Sequence, residues 1–188
     1  MISPGAAEDW LDSNSLNALI NGDSRDVLQR FPDESVDCVM TSPPYWGVRD
    51  YDGASALGLE DDVGDFVDNL LDVIEEVQRV LKPQGSFWLN IGDTYHDKNL
   101  SGTPWRTAIA LQDRQDWVLR NDVIWNKVKG NPSSATDRLR VMHEYIFHFV
   151  KRKDYYYDVD AIREDEDFEL EFKENGDEVR VVFDGAGT

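Results

Sequence analysis

The run Thr41-Ser42-Pro43-Pro44-Tyr45-Trp46 sets a hydroxyl, two prolines and two aromatic rings side by side. Consecutive prolines fix two φ angles and remove two N–H donors, so the carbonyls of such a segment are presented outward with little freedom. Outward carbonyls beside a hydroxyl accept hydrogen bonds. An exocyclic amino group on a nucleobase needs such acceptors, because its lone pair is delocalised into the ring and has to be localised on nitrogen before it attacks a methyl donor. Tyr45 adds a flat π-face on which an extruded base can stack. A rigid surface turn with buried aromatics has the same letters, and the residues alone leave both readings open.

Two other constellations carry less. His143-Glu144 followed by His148 imitates a zinc-protease helix motif, but the second histidine comes one position late. On a helix the two rings diverge and on a strand they face opposite sides, so no metal site is expected there. Cys38, the single cysteine, has no internal disulfide partner and lies in an apolar strand pattern, where a thiol is expected to act as a small buried hydrophobe.

The elements that position these residues follow from periodicity. Asn21-Gly22-Asp23-Ser24 is a turn whose Asp23 or Ser24 caps a helix through Val27, Leu28 and Phe31, stopped by Pro32. A short helix is also expected near Leu16 to Leu19. Val36 to Thr41 reads as a buried parallel strand that ends where Pro43 forbids ladder pairing. From Asp61 to Leu81 the apolar residues recur at helical spacing, and Lys82-Pro83-Gln84-Gly85 ends that helix before a strand at Ser86 to Ile91. Pro104 to Leu111 reads as a further helix with Pro104 near its first position, and Trp117 to Trp125 and Glu144 to Val150 as strands. Asn175-Gly176 between two alternating runs marks a β-hairpin. The alternation predicts an α/β fold with a doubly wound, largely parallel sheet in which ligands sit beyond the carboxyl ends of the strands.

At 188 residues the chain has length for one sizeable core. The expected organisation is a lead-in over 1–18, a catalytic region over 19–164, and an acidic hairpin and tail over 165–188. No apolar run is long enough to span a bilayer and the N-terminus lacks a basic flank and an apolar stretch, so a cytoplasmic location is expected. A net charge of −19 repels nucleic acid at low salt. It fits either a protein with no polyanionic partner or one from a salt-saturated, halophilic cytoplasm, where screening removes the repulsion, and the second is expected because the basic residues cluster where DNA would lie.

The segment Asp37 to Tyr51, DCVMTSPPYWGVRDY, resembles the catalytic motif of the DNA amino-methyltransferases that modify cytosine N4 or adenine N6. NGDSRDVLQRFPDESVD upstream, and LKPQGSFWLNIGDTY, TPWRTAIALQ, RNDVIWNK, NPSSATDRLR and HEYIFHFVKRKDYYYDVDAIRE downstream, resemble that family's successive blocks in the permuted order that places catalysis first. The resemblance covers about Leu19 to Glu164. It implies S-adenosyl-L-methionine as cofactor, double-stranded DNA with a flipped base as substrate, and direct methyl transfer without a covalent enzyme intermediate. It makes Ser42 and the Pro43 carbonyl the acceptors for the target amine, within the catalytic set Ser42, Pro43, Pro44 and Tyr45. The Ser form of the motif usually accompanies cytosine N4, and Asp or Asn in place of Ser42 adenine N6. Methylation at ring carbon C5 calls for a cysteine nucleophile, generally after a proline, and Cys38 follows Asp37.

By the same resemblance Asp23 reaches the adenine end of the cofactor, a helix cap being the alternative, and Asp93 is a second candidate with a turn role as its alternative. Trp46, Arg49, Lys127, Arg138 and Arg140 form the expected DNA-facing set, with Lys129 beside them; singly, each cation is as well explained as a solvated surface charge. Phe183-Asp184-Gly185-Ala186-Gly187 carries the letters of the family's cofactor turn, which makes Phe183, Gly185 and Gly187 cofactor candidates, but no helix follows them here. The sheet is therefore expected to be incomplete at its C-terminal side. An active methyltransferase, alone or completed by a second chain that supplies the cofactor-binding half, stands against a silent fragment that binds DNA or a partner, and against an acidic mimic of DNA.

Overall fold

The computed structural model describes residues 17–48, 57–128, 134–163, 168–174 and 177–183. The chain divides into two units, Met1–Tyr156 and Tyr157–Thr188.

In the first unit a short helix, α1 (Ser24–Leu28), begins at Asp23, whose carboxylate accepts from the Arg25 N–H at 2.8 Å. It stops short of Phe31, and residues 17–19 carry no helix, against the expectation of one near Leu16 to Leu19. Strand β1 (Val36–Thr41) follows, then α2 (Val63–Val80), capped by Asp62 through Gly64 N–H. Phe66, Val67, Leu70, Leu71, Ile74 and Val77 of α2 are buried, the stripe that the helical spacing predicts. The chain passes from Val80 directly into β2 (Leu81–Ile91), and the expected Lys82–Gly85 turn lies inside that strand as a break in register against β1. Gly85 is required there: a Cβ on it would lie 2.7 Å from the Asp37 carbonyl oxygen. A small hairpin of β3 (Tyr95–His96) and β4 (Asn99–Leu100) precedes α3 (Thr103–Gln115), with proline in its first turn. Strands β5 (Val118–Asn126) and β6 (His143–Val150) complete the unit.

The sheet order is β1-β2-β6-β5. Only β1 and β2 pair in parallel; β2 with β6 and β6 with β5 are antiparallel. The expectation of a largely parallel, doubly wound sheet is corrected on this point. No helix separates β5 from β6 among the described residues, so β6 returns as an antiparallel neighbour and inserts between β2 and β5. The helices pack α1 on α2 and α2 on α3, and Phe87, Leu89, Phe147 and Phe149 join the α2 stripe in one core. Each such side chain contributes about 1.5–3 kcal/mol when fully buried.

Because β1 is the sheet's last strand among the described residues, none of its residues is buried. Met40 is 76 % exposed and Cys38 is exposed, so the expectation of a buried strand with Cys38 in the core is overturned. In the second unit, β7 (Phe168–Glu174) and β8 (Asp177–Phe183) form the expected antiparallel hairpin, with Phe168 opposite Phe183.

Candidate active site

β1, β2 and β5 run in one direction and β6 in the other, so the carboxyl ends of the first three meet the start of β6 at one edge. The proline loop leaves β1 at this edge. Ser42 is exposed, and among the described residues nothing donates to the Pro43 or Pro44 carbonyl. Tyr45 folds back over β2: a Cβ on Gly92 would lie 2.8 Å from its ring and 3.3 Å from Glu144 Cγ, so only glycine lets the ring lie there.

The Tyr45 hydroxyl donates to Glu144 Oε2 at 2.9 Å. Ser42 Oγ donates to Tyr45 Oη at 3.4 Å. Asn90, near the end of β2, brings Nδ2 to 3.3 Å from Ser42 Oγ, 3.3 Å from Tyr45 Oη and 3.2 Å from Glu144 Oε2. Lys127, just after β5, closes the cluster by bonding Glu144 Oε1, and its ammonium lies 5.1 Å from the centre of the Trp125 ring. Burial, and more weakly Glu144, push the Tyr45 phenol up to about 12, against opposing bonds from Ser42 and Asn90. Burial also works to raise Glu144, but the bonds from Lys127, Tyr45 and Asn90 outweigh it and hold the carboxyl below its ordinary value. The cluster is an ionised carboxylate clamped by a cation, with a neutral phenol and a serine hydroxyl leading to the surface.

Ser42, Pro43 and Pro44 open onto a groove of about 1480 Å3 that Asp23 and Glu60 also line. Asp23 is the cap of α1 and pairs with Arg25 Nη2 at 3.2 Å. The Arg25 side chain and backbone bonds hold its carboxyl low. The Asp93 carboxylate is engaged by backbone: Oδ1 accepts from the N–H groups of Thr94 (2.9 Å) and Thr103 (3.1 Å), and Oδ2 from that of Gly102 (3.0 Å).

The DNA-facing expectations fare unevenly. Trp46 is a core residue, 7 % exposed, with its indole N–H donated to the Glu60 carbonyl at 2.8 Å, which removes it from the set: its large apolar ring gains more from the interior than from solvent. Lys127 serves Glu144. Arg138 stacks on Tyr95, its guanidinium carbon 3.7 Å from the ring centre, and Arg140 is exposed. Arg49 and Lys129 lie outside the described residues, as do Gly185 and Gly187; Phe183 ends β8. His143 and His148 occupy opposite faces of β6, with buried His148 stacked on Trp88 at 4.1 Å. Asn90 and Glu144 were missed. No local signal marks them: SFWLNI also carries Ser86, and in HEYIFHFV Glu144 stands between His143 and His148.

The N6/N4 family model described as DNA methylase matches residues 36–183. The chain belongs to that DNA methylase family. It is 42% identical over 187 residues to the type II methyltransferase M.SmaI of Serratia marcescens, a match that covers 84% of this chain and 64% of the relative. The PvuII DNA methyltransferase, described as cytosine-N4-specific, superposes with a TM-score of 0.69 at 26% identity, over 80% of this chain and 54% of that one. A putative DNA modification methylase of Thermus thermophilus, solved with S-adenosyl-L-methionine, gives 0.57 at 29% identity, over 74% and 57%. The chain thus spans a little over half to just under two thirds of the length of these three proteins. Among the described residues no helix is long and apolar enough to cross a membrane, and no three His, Cys, Asp or Glu side chains are grouped to hold a metal ion.

Proposed function

We propose that this methylase transfers a methyl group from S-adenosyl-L-methionine to an exocyclic base amine in double-stranded DNA, with cytosine N4 as the target. The observation that carries the reading is the open groove at the end of β1, into which the Ser42 hydroxyl and the Pro43-Pro44 segment project with acceptor capacity to spare. Donor-hungry oxygens at that position favour an amine whose lone pair must be drawn out of conjugation. Tyr45, stiffened by Gly92 and Glu144, is the surface for the extruded base. The cytosine-N4 label of the PvuII neighbour and the serine at position 42 agree on the base.

The groove's residues fit the cofactor chemically: Leu28, Val39 and Ile74 give an apolar wall for a ring, and Asp23 a carboxylate for hydroxyls. When bound, S-adenosyl-L-methionine supplies an electrophilic methyl on a positively charged sulfur. Small-ligand pockets usually enclose roughly 300–1,000 Å3, so the groove has room for more than a cofactor. We assign the surplus to further cofactor-holding elements beyond the described residues, from the same polypeptide or a second chain, laid along the open edge of β1. On this reading residues 19–164 are the catalytic region.

The test is incubation with double-stranded DNA and labelled cofactor in high salt, where repulsion between acidic surface and phosphates is screened, followed by digestion to nucleosides. N4-methylcytosine is expected. N6-methyladenine in its place would overturn the choice of base, and failure to bind the cofactor would leave the chain a silent fragment.

A further inference from the structure

The polar cluster under the proline loop has a direction. Ser42 Oγ donates to Tyr45 Oη at 3.4 Å and Tyr45 Oη donates to Glu144 Oε2 at 2.9 Å, so each hydroxyl points its proton away from the groove. Ser42 therefore turns lone pair outward. The sequence of donors starts at an exposed hydroxyl on the groove wall and ends on a carboxylate whose side chain is 12 % exposed. Asn90, bonding Ser42 Oγ and Glu144 Oε2 together, fixes the two ends relative to one another.

We propose that Ser42, Tyr45 and Glu144 form a proton relay that carries the surplus proton away from the methylated amine, with Glu144 as terminal acceptor and Asn90 as a positioning residue. The proposal rests on the methyl-transfer reading above. When a neutral amino group takes up a methyl, the N–CH3 bond forms as the donor's S–CH3 bond breaks, leaving a neutral thioether and a positively charged amine. One N–H proton then passes to Ser42 Oγ, the Ser42 proton to Tyr45 Oη, and the Tyr45 proton to Glu144 Oε2. Both hydroxyls are restored, the product amine is neutral, and Glu144 later returns its proton to water.

Glu144 is a weak base in this setting and that suffices. An ammonium on an aromatic ring is a strong acid, since deprotonation returns the lone pair to conjugation. Lys127, the charged group that faces Glu144 from the segment after β5, keeps the acceptor ionised between turnovers. The other elements against it contribute uncharged groups: Tyr45 from the loop after β1, Asn90 and Gly92 from β2 and its end, and Trp125 directly across on β5. The 3.4 Å first link is long, as links in a substrate-free site often are before closure.

Single-turnover methylation across pH, with melting temperature as the control for folding, tests the relay in E144Q, Y45F and the double variant. Each single change is expected to slow transfer about 100-fold, the size usual for a lost acid–base group, and the double variant to be no slower than either. The rate of the unaltered chain is expected to decline on acidification, and that decline should vanish in E144Q. A readout independent of activity is the ultraviolet titration of the Tyr45 phenol, taken as the difference from Y45F; it should move down in E144Q. Transfer by E144Q within about threefold of the unaltered chain, multiplicative losses in the double variant, or an unmoved phenol titration would overturn the relay. An unaltered chain that binds the cofactor yet methylates nothing would overturn the methyl-transfer reading, and the relay with it.

Discussion

The loops after β1 and β2 leave the same edge of the sheet from neighbouring parallel strands, yet they direct their oxygen atoms oppositely. After β1, two prolines strip the backbone of N–H donors, nothing among the described residues donates to the Pro43 and Pro44 carbonyls, and the Ser42 hydroxyl stays exposed. After β2, Asp93 meets a backbone rich in donors, and the N–H of Thr94 with two N–H groups at the start of α3 take up both of its carboxylate oxygens. Position beyond the carboxyl end of a strand is thus not enough to make a ligand site. What separates a site from a brace is whether lone pairs are left over once the backbone has been satisfied.

The comparison breaks most sharply if the first loop is dispensable. Ser42→Ala and Tyr45→Ala are each expected to lower methyl transfer by a factor of about 100–1,000, in line with a lost transition-state hydrogen bond or a lost stacking platform. Ser42 is exposed, so its variant should melt with the parent; Tyr45 is half-buried and its loss should lower the melting temperature by a few degrees. Methylation assays on both, with full activity in both, would defeat the assignment of this loop. A smaller effect is expected from Gly92→Ala, which changes no polar group and only drives a methyl into the Tyr45 ring and Glu144. Displacement by a fraction of an ångström should slow transfer about tenfold while leaving cofactor affinity, read by calorimetry, unchanged.

How much of this was legible follows the range of the interactions. The α2 stripe from Phe66 to Val77 and the proline loop are local patterns, a helical period and a dipeptide with its own stereochemistry, and both appear where the letters put them. Cys38 was misread because an apolar strand looks the same at the edge of a sheet as at its centre; its neighbours, not its own composition, decide exposure. Asn90 and Glu144 were invisible for a related reason. They meet only because β6 inserts between β2 and β5 in reverse, a pairing across 54 residues of chain that no local period encodes. Trp46, expected on the DNA side, is held in the core by its large ring and by its indole N–H on the Glu60 carbonyl, 14 residues away.

On the side of the brace, Asp93→Ala should be a stability variant. Removing an acceptor shared by three N–H groups, two of them at a helix start, is expected to destabilise by about 1–3 kcal/mol, a fall in melting temperature of roughly 2–10 °C for a chain of this length. The transfer rate per folded molecule should hardly change. Weaker cofactor binding at an unaltered melting temperature would instead make Asp93 a ligand and erase the contrast between the two loops. A finer effect attaches to Glu144, whose folded-state carboxyl is held below its unfolded value. Its contribution to stability is complete above the ordinary carboxylate range and is lost as pH falls through the depressed folded value. Acid unfolding of E144Q should therefore be less steep than that of the parent, because the glutamine has no proton to take up.

Asp23 combines both behaviours in one side chain, and it gives the smallest and most discriminating test. It caps a helix of five residues while lining the groove beside Ser42. Loss of a cap destabilises by about 1 kcal/mol, and serine caps nearly as well as aspartate, so Asp23→Ser should leave the melting temperature within about 2 °C of the parent. Serine is too short to reach past the cap into the groove. If Asp23 holds the hydroxyls of S-adenosyl-L-methionine, Asp23→Ser should weaken cofactor binding about tenfold, the worth of one hydrogen bond to a charged group, with folding intact. If Asp23 only braces α1, calorimetry will show the parent's affinity, and the carboxylate then belongs with Asp93, its oxygens already engaged by Arg25.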